Sequence, residues 1–122
     1  MAKLKSFLML LTFGMMFQPT QAESVVVNPG EDLNLIINNA KGGDTVLIKP
    51  GTYSQVKLVE KSFTEHKPLI VRADGSGAVI IAGNNFEKGS ALELNKCSFI
   101  VFEGITFTNA MWGIYVKSSE HI

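Results

Sequence analysis

The chain has 122 residues, eleven basic and eleven acidic side chains, and a single cysteine, Cys97. This length suits one small domain, and the balanced charge excludes the strongly basic surface that is typical of nucleic-acid-binding proteins. One cysteine cannot form an internal disulfide, so we expect Cys97 to be a small, buried, apolar residue.

Residues 1–22 are predicted to form a secretory signal peptide. Lys3 and Lys5 give a basic start, an eleven-residue apolar run spans Phe7–Phe17, and a polar stretch ends at the small residue Ala22. This order is typical of signal peptides, and the run is shorter than the roughly twenty residues that cross a bilayer. The alternative is a membrane anchor that is retained. Cleavage near Ala22 would give a secreted, periplasmic or cell-surface protein with no membrane contact.

The predicted mature chain carries little net charge. Cleavage removes two lysines and leaves nine basic against eleven acidic residues, a net charge of −2. So mild a charge predicts neither a nucleic acid nor an anionic membrane as a partner.

Residues 23–43 are predicted to form an N-terminal strand followed by a capping helix. After a valine-rich strand, apolar residues recur at the helical spacing i, i+3, i+4 and i+7, namely Leu33, Ile36, Ile37 and Ala40. Glu31 and Asp32 would suit the first turn of this helix, and Gly42-Gly43 would end it. We therefore expect about three helical turns over residues 31–41.

Residues 44–122 alternate between apolar and polar positions, which predicts β-strands with no helix between them. The predicted strands are Thr45–Lys49, Val56–Val59, Leu69–Arg72, Ala78–Ala82, Ala91–Leu94, Phe99–Phe102, Ile105–Phe107 and Gly113–Val116. This part of the chain is therefore expected to be all-β.

Apolar pairs recur along these strands at offsets of 21 to 23 residues. One series is Val46/Ile48, Leu69/Val71, Leu92/Leu94 and Ile114/Val116; the other is Val56/Leu58, Val79/Ile81, Ile100/Phe102 and Ile122. A shared period is expected of a parallel β-helix, whose successive coils stack about 4.8 Å apart. We predict about three to four coils, with the helix covering the open end of the first one. The alternative is a β-sandwich with hairpin connections.

Three segments resemble the start of right-handed parallel β-helix proteins with the pectin-lyase-like fold. They are Gly42–Tyr53 (GGDTVLIKPGTY), Pro68–Ala73 (PLIVRA) and Phe102–Phe107 (FEGITF). The resemblance is closest to the polysaccharide lyases that include alginate lyases and chondroitinase B. It covers almost the whole mature chain and is more specific for fold than for function.

This resemblance implies a protein that acts on or binds polysaccharide, with an acidic glycan as a candidate partner, and the predicted signal peptide implies export. The resemblance also implies a longer protein, in which a catalytic lysine and arginine and the calcium ligands lie on middle coils. No residue of this chain matches those motifs, so the chain is expected to hold no catalytic, cofactor-binding or metal-binding residue. A non-catalytic surface or adhesion scaffold and an inactive truncated fragment are the alternatives. An incomplete last coil would leave an apolar edge prone to self-association.

Trp112 and Tyr115 are the candidates for stacking on a sugar ring. Tyr115 alternates with apolar Ile114 and Val116, so it should face outward. The alternative is that both aromatic side chains pack against a following coil.

The remaining polar candidates are isolated in the sequence. Arg72 ends a strand, where it would face a groove or solvent, and His66 and His121 have no evident partner. Asp44 and Asp74 lie more than one coil apart, whereas a calcium site needs several oxygen atoms close together. We expect Asp44 to stabilise the turn after the helix. The asparagines expected to stack and stabilise a turn are Asn84, Asn85 and Asn109.

Overall fold

The computed structural model describes residues 22–122, so all of the predicted signal peptide except Ala22 lies outside the described residues. The described chain contains one helix, α1 (Leu33–Asn38), and is otherwise built from strands. The strands are β1 (Ser24–Val27), β2 (Thr45–Ile48), β3 (Gly51–Ser54), β4 (Val56–Val59), β5 (Leu69–Ala73), β6 (Val79–Asn95), β7 (Ile100–Glu103) and β8 (Ile105–Lys117). The predicted all-β class is confirmed. None of the described helical structure has the length and apolar character needed to cross a membrane.

All the pairings between these strands are parallel. The first sheet has the order β1-β2-β5-β7, and the second contains β3, β4, β6 and β8. The first part of β6 pairs with β3 and its last part with β4, while β8 runs along both parts of β6. Hairpins join antiparallel strands, so the β-sandwich alternative is wrong for residues 22–122.

The register agrees with the predicted repeat in one place and departs from it in others. Leu92 lies opposite Ile114, at the predicted offset of 22 residues. On its other side, however, Leu92 lies opposite Val56, 36 residues away, where the repeat had placed Leu69. The predicted constant period is therefore wrong, although the parallel stacking behind it is correct.

Unequal connections explain this departure. Gln55 alone joins β3 to β4, whereas residues 83–91 join the corresponding two parts of β6. In addition, each passage of the chain through the two sheets contains three paired segments, one in the first sheet and two in the second. The predicted repeat contained only two segments. Stacking constrains only the paired residues, so loops of different length are tolerated and the sequence offset varies.

The core is an apolar stack formed by the inward positions of both sheets. Its fully buried members are Val27, Val46, Ile48, Val56, Leu58, Leu69, Val71, Ile81, Leu94 and Ile100. Phe102, Ile105 and Phe107 pack against this stack and are partly buried. Each inward row continues from strand to strand, so a substitution in one strand changes the side-chain packing of the strands on both sides.

Helix α1 is shorter than the sequence predicted, because its acidic residues act before its first turn. Asp32 is the N-cap, and its side chain accepts a hydrogen bond from the Leu35 N–H at 3.1 Å. Glu31 lies outside the helix and accepts hydrogen bonds from the side chain and the backbone N–H of Asn28, both at 2.9 Å. These two bonds lower the pKa of the Glu31 carboxyl group. The buried residues of the helix are Leu33 and Ile37.

Two asparagines of α1 bond to the backbone of β4. Asn34 Oδ1 accepts from the Lys57 N–H at 2.8 Å, and Asn38 Nδ2 donates to the Lys57 carbonyl at 3.1 Å. Lys61 adds a third bond from its ammonium group to the Asn38 carbonyl at 3.0 Å. In a parallel strand, the N–H and C=O of one residue point to the same side. The helix therefore occupies backbone groups on the edge of β4 that faces away from β6.

Tyr53, in the Gly-Thr-Tyr segment, links the end of β1 to the turn after β2. Its buried hydroxyl group donates to the Lys49 carbonyl at 2.6 Å and lies 3.4 Å from the Val27 carbonyl. Burial, and secondarily the negative charge of Glu31, raise the pKa of this phenol.

We expect Tyr53→Phe to lower the free energy of unfolding by about 1 kcal/mol, because it removes the hydrogen bond from the buried hydroxyl group to the Lys49 carbonyl. The raised pKa means that the folded state favours the protonated phenol. This contribution is therefore complete below pH about 10 and is lost as the pH rises through the folded-state pKa. Urea titrations between pH 8 and about pH 11 should show that the free energy of unfolding of the parent falls as the pH rises, and that the fall is smaller in the variant. Tyr115→Phe, at an exposed position, is the control, and an equal effect of both substitutions would contradict this role.

Candidate functional site

A row of polar and aromatic side chains crosses the outer face of the second sheet. Lys57, Glu93 and Tyr115 lie side by side on β4, β6 and β8, and we call them the outer row. The Lys57 ammonium lies 3.2 Å from the Glu93 carboxylate. Lys57 alternates with buried Val56 and Leu58, as predicted, so the row faces away from the core.

Tyr115 and Trp112 are both accessible, with 40% and 55% of their surface exposed. Trp112 lies opposite Ser90, and Tyr115 lies opposite Glu93, with no register shift between these two pairs. Ser90, Ala91 and Leu92 are all buried, so the alternation of faces is interrupted at the positions of β6 opposite Trp112. Trp112 therefore lies beside the corner of β6, whereas Tyr115 belongs to the outer row.

The predicted acidic candidates stabilise turns. The Asp44 carboxylate is buried and accepts hydrogen bonds from the Glu23 N–H at 3.1 Å and the Lys41 N–H at 2.8 Å, as expected of a turn residue after the helix. Asp74 forms an ion pair with Lys49 at 2.8 Å. Within residues 22–122, no group of three or more His, Cys, Asp or Glu side chains is placed to hold a metal ion.

The other single candidates have ordinary surroundings. Arg72 and His66 are exposed, and Cys97 is a buried free cysteine, as predicted. His121 has a partner that the sequence did not indicate, because its ring stacks on Phe99 with the centroids 4.3 Å apart.

Two of the three candidate asparagines bond to backbone groups near the corner of β6. Asn109 donates from its side chain to the Gly83 carbonyl at 2.8 Å, and Asn85 Oδ1 accepts from the Glu87 N–H at 2.7 Å. Asn85 and Asn109 therefore bond to backbone groups and not to one another, so these bonds do not form the predicted asparagine stack.

The family model for chondroitinase B matches residues 27–115, which is more than half of the chain. The chain belongs to the chondroitinase B family. The predicted resemblance to β-helix polysaccharide lyases is thereby confirmed.

A solved structure agrees with this family membership. The chain is similar to an alginate lyase from Paenibacillus sp. strain FPU-7, with a TM-score of 0.73 and 24% sequence identity over 81% of this chain. At that identity the likeness shows a shared fold. The chain spans 34% of the length of that alginate lyase. No curated protein matches the chain.

The segment that matches the chondroitinase B family includes the outer row and Trp112. Sequence reasoning had singled out the two aromatic residues by type and alternation. It missed the pairing of Lys57 with Glu93, because these residues are 36 positions apart and become neighbours only in the observed register.

Proposed function

We propose that this chain is the N-terminal part of an exported, polysaccharide-lyase-like β-helix protein that acts on or binds an acidic polysaccharide. The family match over residues 27–115 carries this proposal. The signal-peptide pattern of residues 1–22 supports export. Because the chain spans 34% of the alginate lyase, we place the catalytic residues, and any calcium site, outside this chain.

The architecture proposed for this part is a right-handed parallel β-helix of three coils with a capped N-terminal end. Each coil would contribute one strand of the first sheet and two segments of the second, starting with β2, β5 and β7. The bonds of Asn34 and Asn38 to the edge of β4 support the capping role of α1.

The outer row is the proposed contact with the polymer in this part of the protein. Tyr115 offers an exposed ring for a sugar face. The Lys57 ammonium, two strands away across Glu93, attracts a sugar carboxylate, partly offset by its ion pair with Glu93. Trp112, opposite Ser90 and outside the outer row, would contact a sugar independently of Tyr115. A non-catalytic scaffold would use the same contacts without bond cleavage.

Lyase action and binding can be measured separately. Cleavage of a uronic-acid polymer by elimination forms a carbon–carbon double bond that absorbs ultraviolet light. We expect no rise in absorbance when the purified chain is mixed with alginate, chondroitin or pectate, but retarded migration in gels that contain the bound polymer. Tyr115→Ala should weaken this retardation several-fold, because it removes the exposed ring.

Leu35→Ala, which truncates an exposed side chain on α1, is the control and should leave the retardation unchanged. A rise in absorbance would overturn the placement of the catalytic residues outside this chain. Equal binding by Tyr115→Ala and the parent would overturn the role of the outer row. Product formation by a chain extended beyond residue 122 would distinguish a lyase from a scaffold.

A further inference from the structure

A polar notch of about 240 Å³ lies at the corner between the two paired parts of β6. The register of β6 shifts on both sides of Asn85. Residues 84–89 therefore form a corner loop, and the neighbouring strands β3, β4 and β8 have no loop of the same form at this corner. The side chains and backbone that line this corner notch are those of Gln55, Asn84, Asn85, Lys88, Gly89 and Ser90. None of the outer-row residues lines this notch.

Hydrogen bonds hold two amides of the notch in place. Gln55 Nε2 donates to the Ser90 carbonyl at 2.6 Å, which ties the corner between β3 and β4 to the end of the loop. Asn85 Oδ1 accepts from the Glu87 N–H at 2.7 Å, which shapes the loop itself. Each bond uses one amide atom, so the second amide atom of Gln55 and of Asn85 is left to bond a ligand. Amide groups that both donate and accept suit the hydroxyl groups of a sugar.

Lys88 is the single charged side chain among the notch-lining residues. The ion pairs formed within residues 22–122 use Lys49, Lys57 and Lys96, so they leave the Lys88 ammonium available. Glu87 is next in sequence but does not line the notch. A cation with neutral amides around it favours an anionic group that also carries hydroxyls.

An exposed aromatic ring lies close to this notch. Ser90 lines the notch, and Trp112 lies opposite Ser90 on the neighbouring strand, at the roughly 4.8 Å spacing of paired strands. A sugar next to the one in the notch would therefore reach the Trp112 indole.

We propose that the corner notch binds one uronate unit of an acidic glycan. Lys88 pairs with the sugar carboxylate, the amides of Gln55, Asn84 and Asn85 bond its hydroxyl groups, and Trp112 contacts the adjoining sugar. The polymer class rests on the proposed function, whereas the site is formed by residues of this chain alone. Occupation of the notch holds the polymer without cleaving it.

Binding of trigalacturonate to the purified chain, measured by isothermal titration calorimetry, tests this site. Lys88→Gln should weaken binding about tenfold, because a charge-assisted bond to the carboxylate is lost. Lys67→Gln, at another exposed loop lysine, is the matched control and should bind as the parent does. Neutral galactotriose should bind the parent about tenfold more weakly than trigalacturonate and should not distinguish Lys88→Gln from the parent.

Equal affinity of Lys88→Gln and the parent for trigalacturonate would overturn the site, as would equal affinity of the parent for both sugars. Asn84→Ala, on the exposed loop, should also weaken binding, and an unchanged affinity would overturn the role of the amides. These outcomes are distinct from failure of the proposed function, because product formation by the extended protein is measured separately and does not require the notch.

Discussion

Replacing Leu94 with aspartate is expected to prevent the chain from folding. Leu94 is fully buried and lies between Leu58 and Val116 in an inward row of the second sheet. An aspartate carboxylate at this position would be surrounded by apolar side chains with no cation to pair with it. Burying this charge costs several kcal/mol. The total stability of a domain is typically about 5 to 15 kcal/mol, so in a small domain this cost removes about half of the stability or more.

Far-ultraviolet circular dichroism and amide NMR spectra should show an unfolded chain for Leu94→Asp. Leu94→Ala should remain measurable, with a loss of about 2 to 5 kcal/mol in urea titrations, because it leaves a cavity without a buried charge. Val59→Asp is the matched control on β4, since Val59 is 43% exposed and a carboxylate there stays in water. A native spectrum for Leu94→Asp would mean that position 94 does not face the core.

Replacing Ile114 with lysine is expected to abolish self-association of the chain. Within residues 22–122, β8 pairs with β6 alone, and Ile114 on its core-facing side is 51% exposed. Apolar side chains and unpaired backbone groups on one strand favour pairing with a second chain. We therefore propose that the parent associates through β8 and that a charge at position 114 opposes this contact.

Sedimentation velocity over a range of concentrations should show associated species for the parent and a monomer for Ile114→Lys. Leu35→Lys is the matched control, because Leu35 is 55% exposed on α1, away from β8, and its variant should associate like the parent. A parent that sediments as a stable monomer, or an Ile114→Lys variant that associates equally well, would contradict association through β8.

The class of fold was predictable because alternation and turn residues are local signals. Alternation located the paired parts of the strands, and helical spacing located Leu33 and Ile37 as the buried face of α1. The register was not predictable, because the single residue Gln55 and the much longer segment 83–91 serve equivalent corners. Nothing local in the sequence reveals that these two connections correspond.

The candidate sites depended on this register and were therefore predicted only in part. The buried state of Cys97 and the turn role of Asp44 followed from residue type and local context. The outer row and the corner notch did not, because their members are brought together from distant passages of the chain.

The asparagine bonds to β4 set an upper limit on any assembly built through the second sheet. A filament needs two compatible surfaces on every subunit, one to receive a neighbour and one to offer. Asn34 and Asn38 already engage the backbone of β4, so in the part of the sheet formed by β4, β6 and β8 only the β8 margin is left to recruit another copy. If two copies related by twofold symmetry pair through β8, the exposed β8 edge of each copy is occupied. Growth along this sheet then stops at a closed dimer.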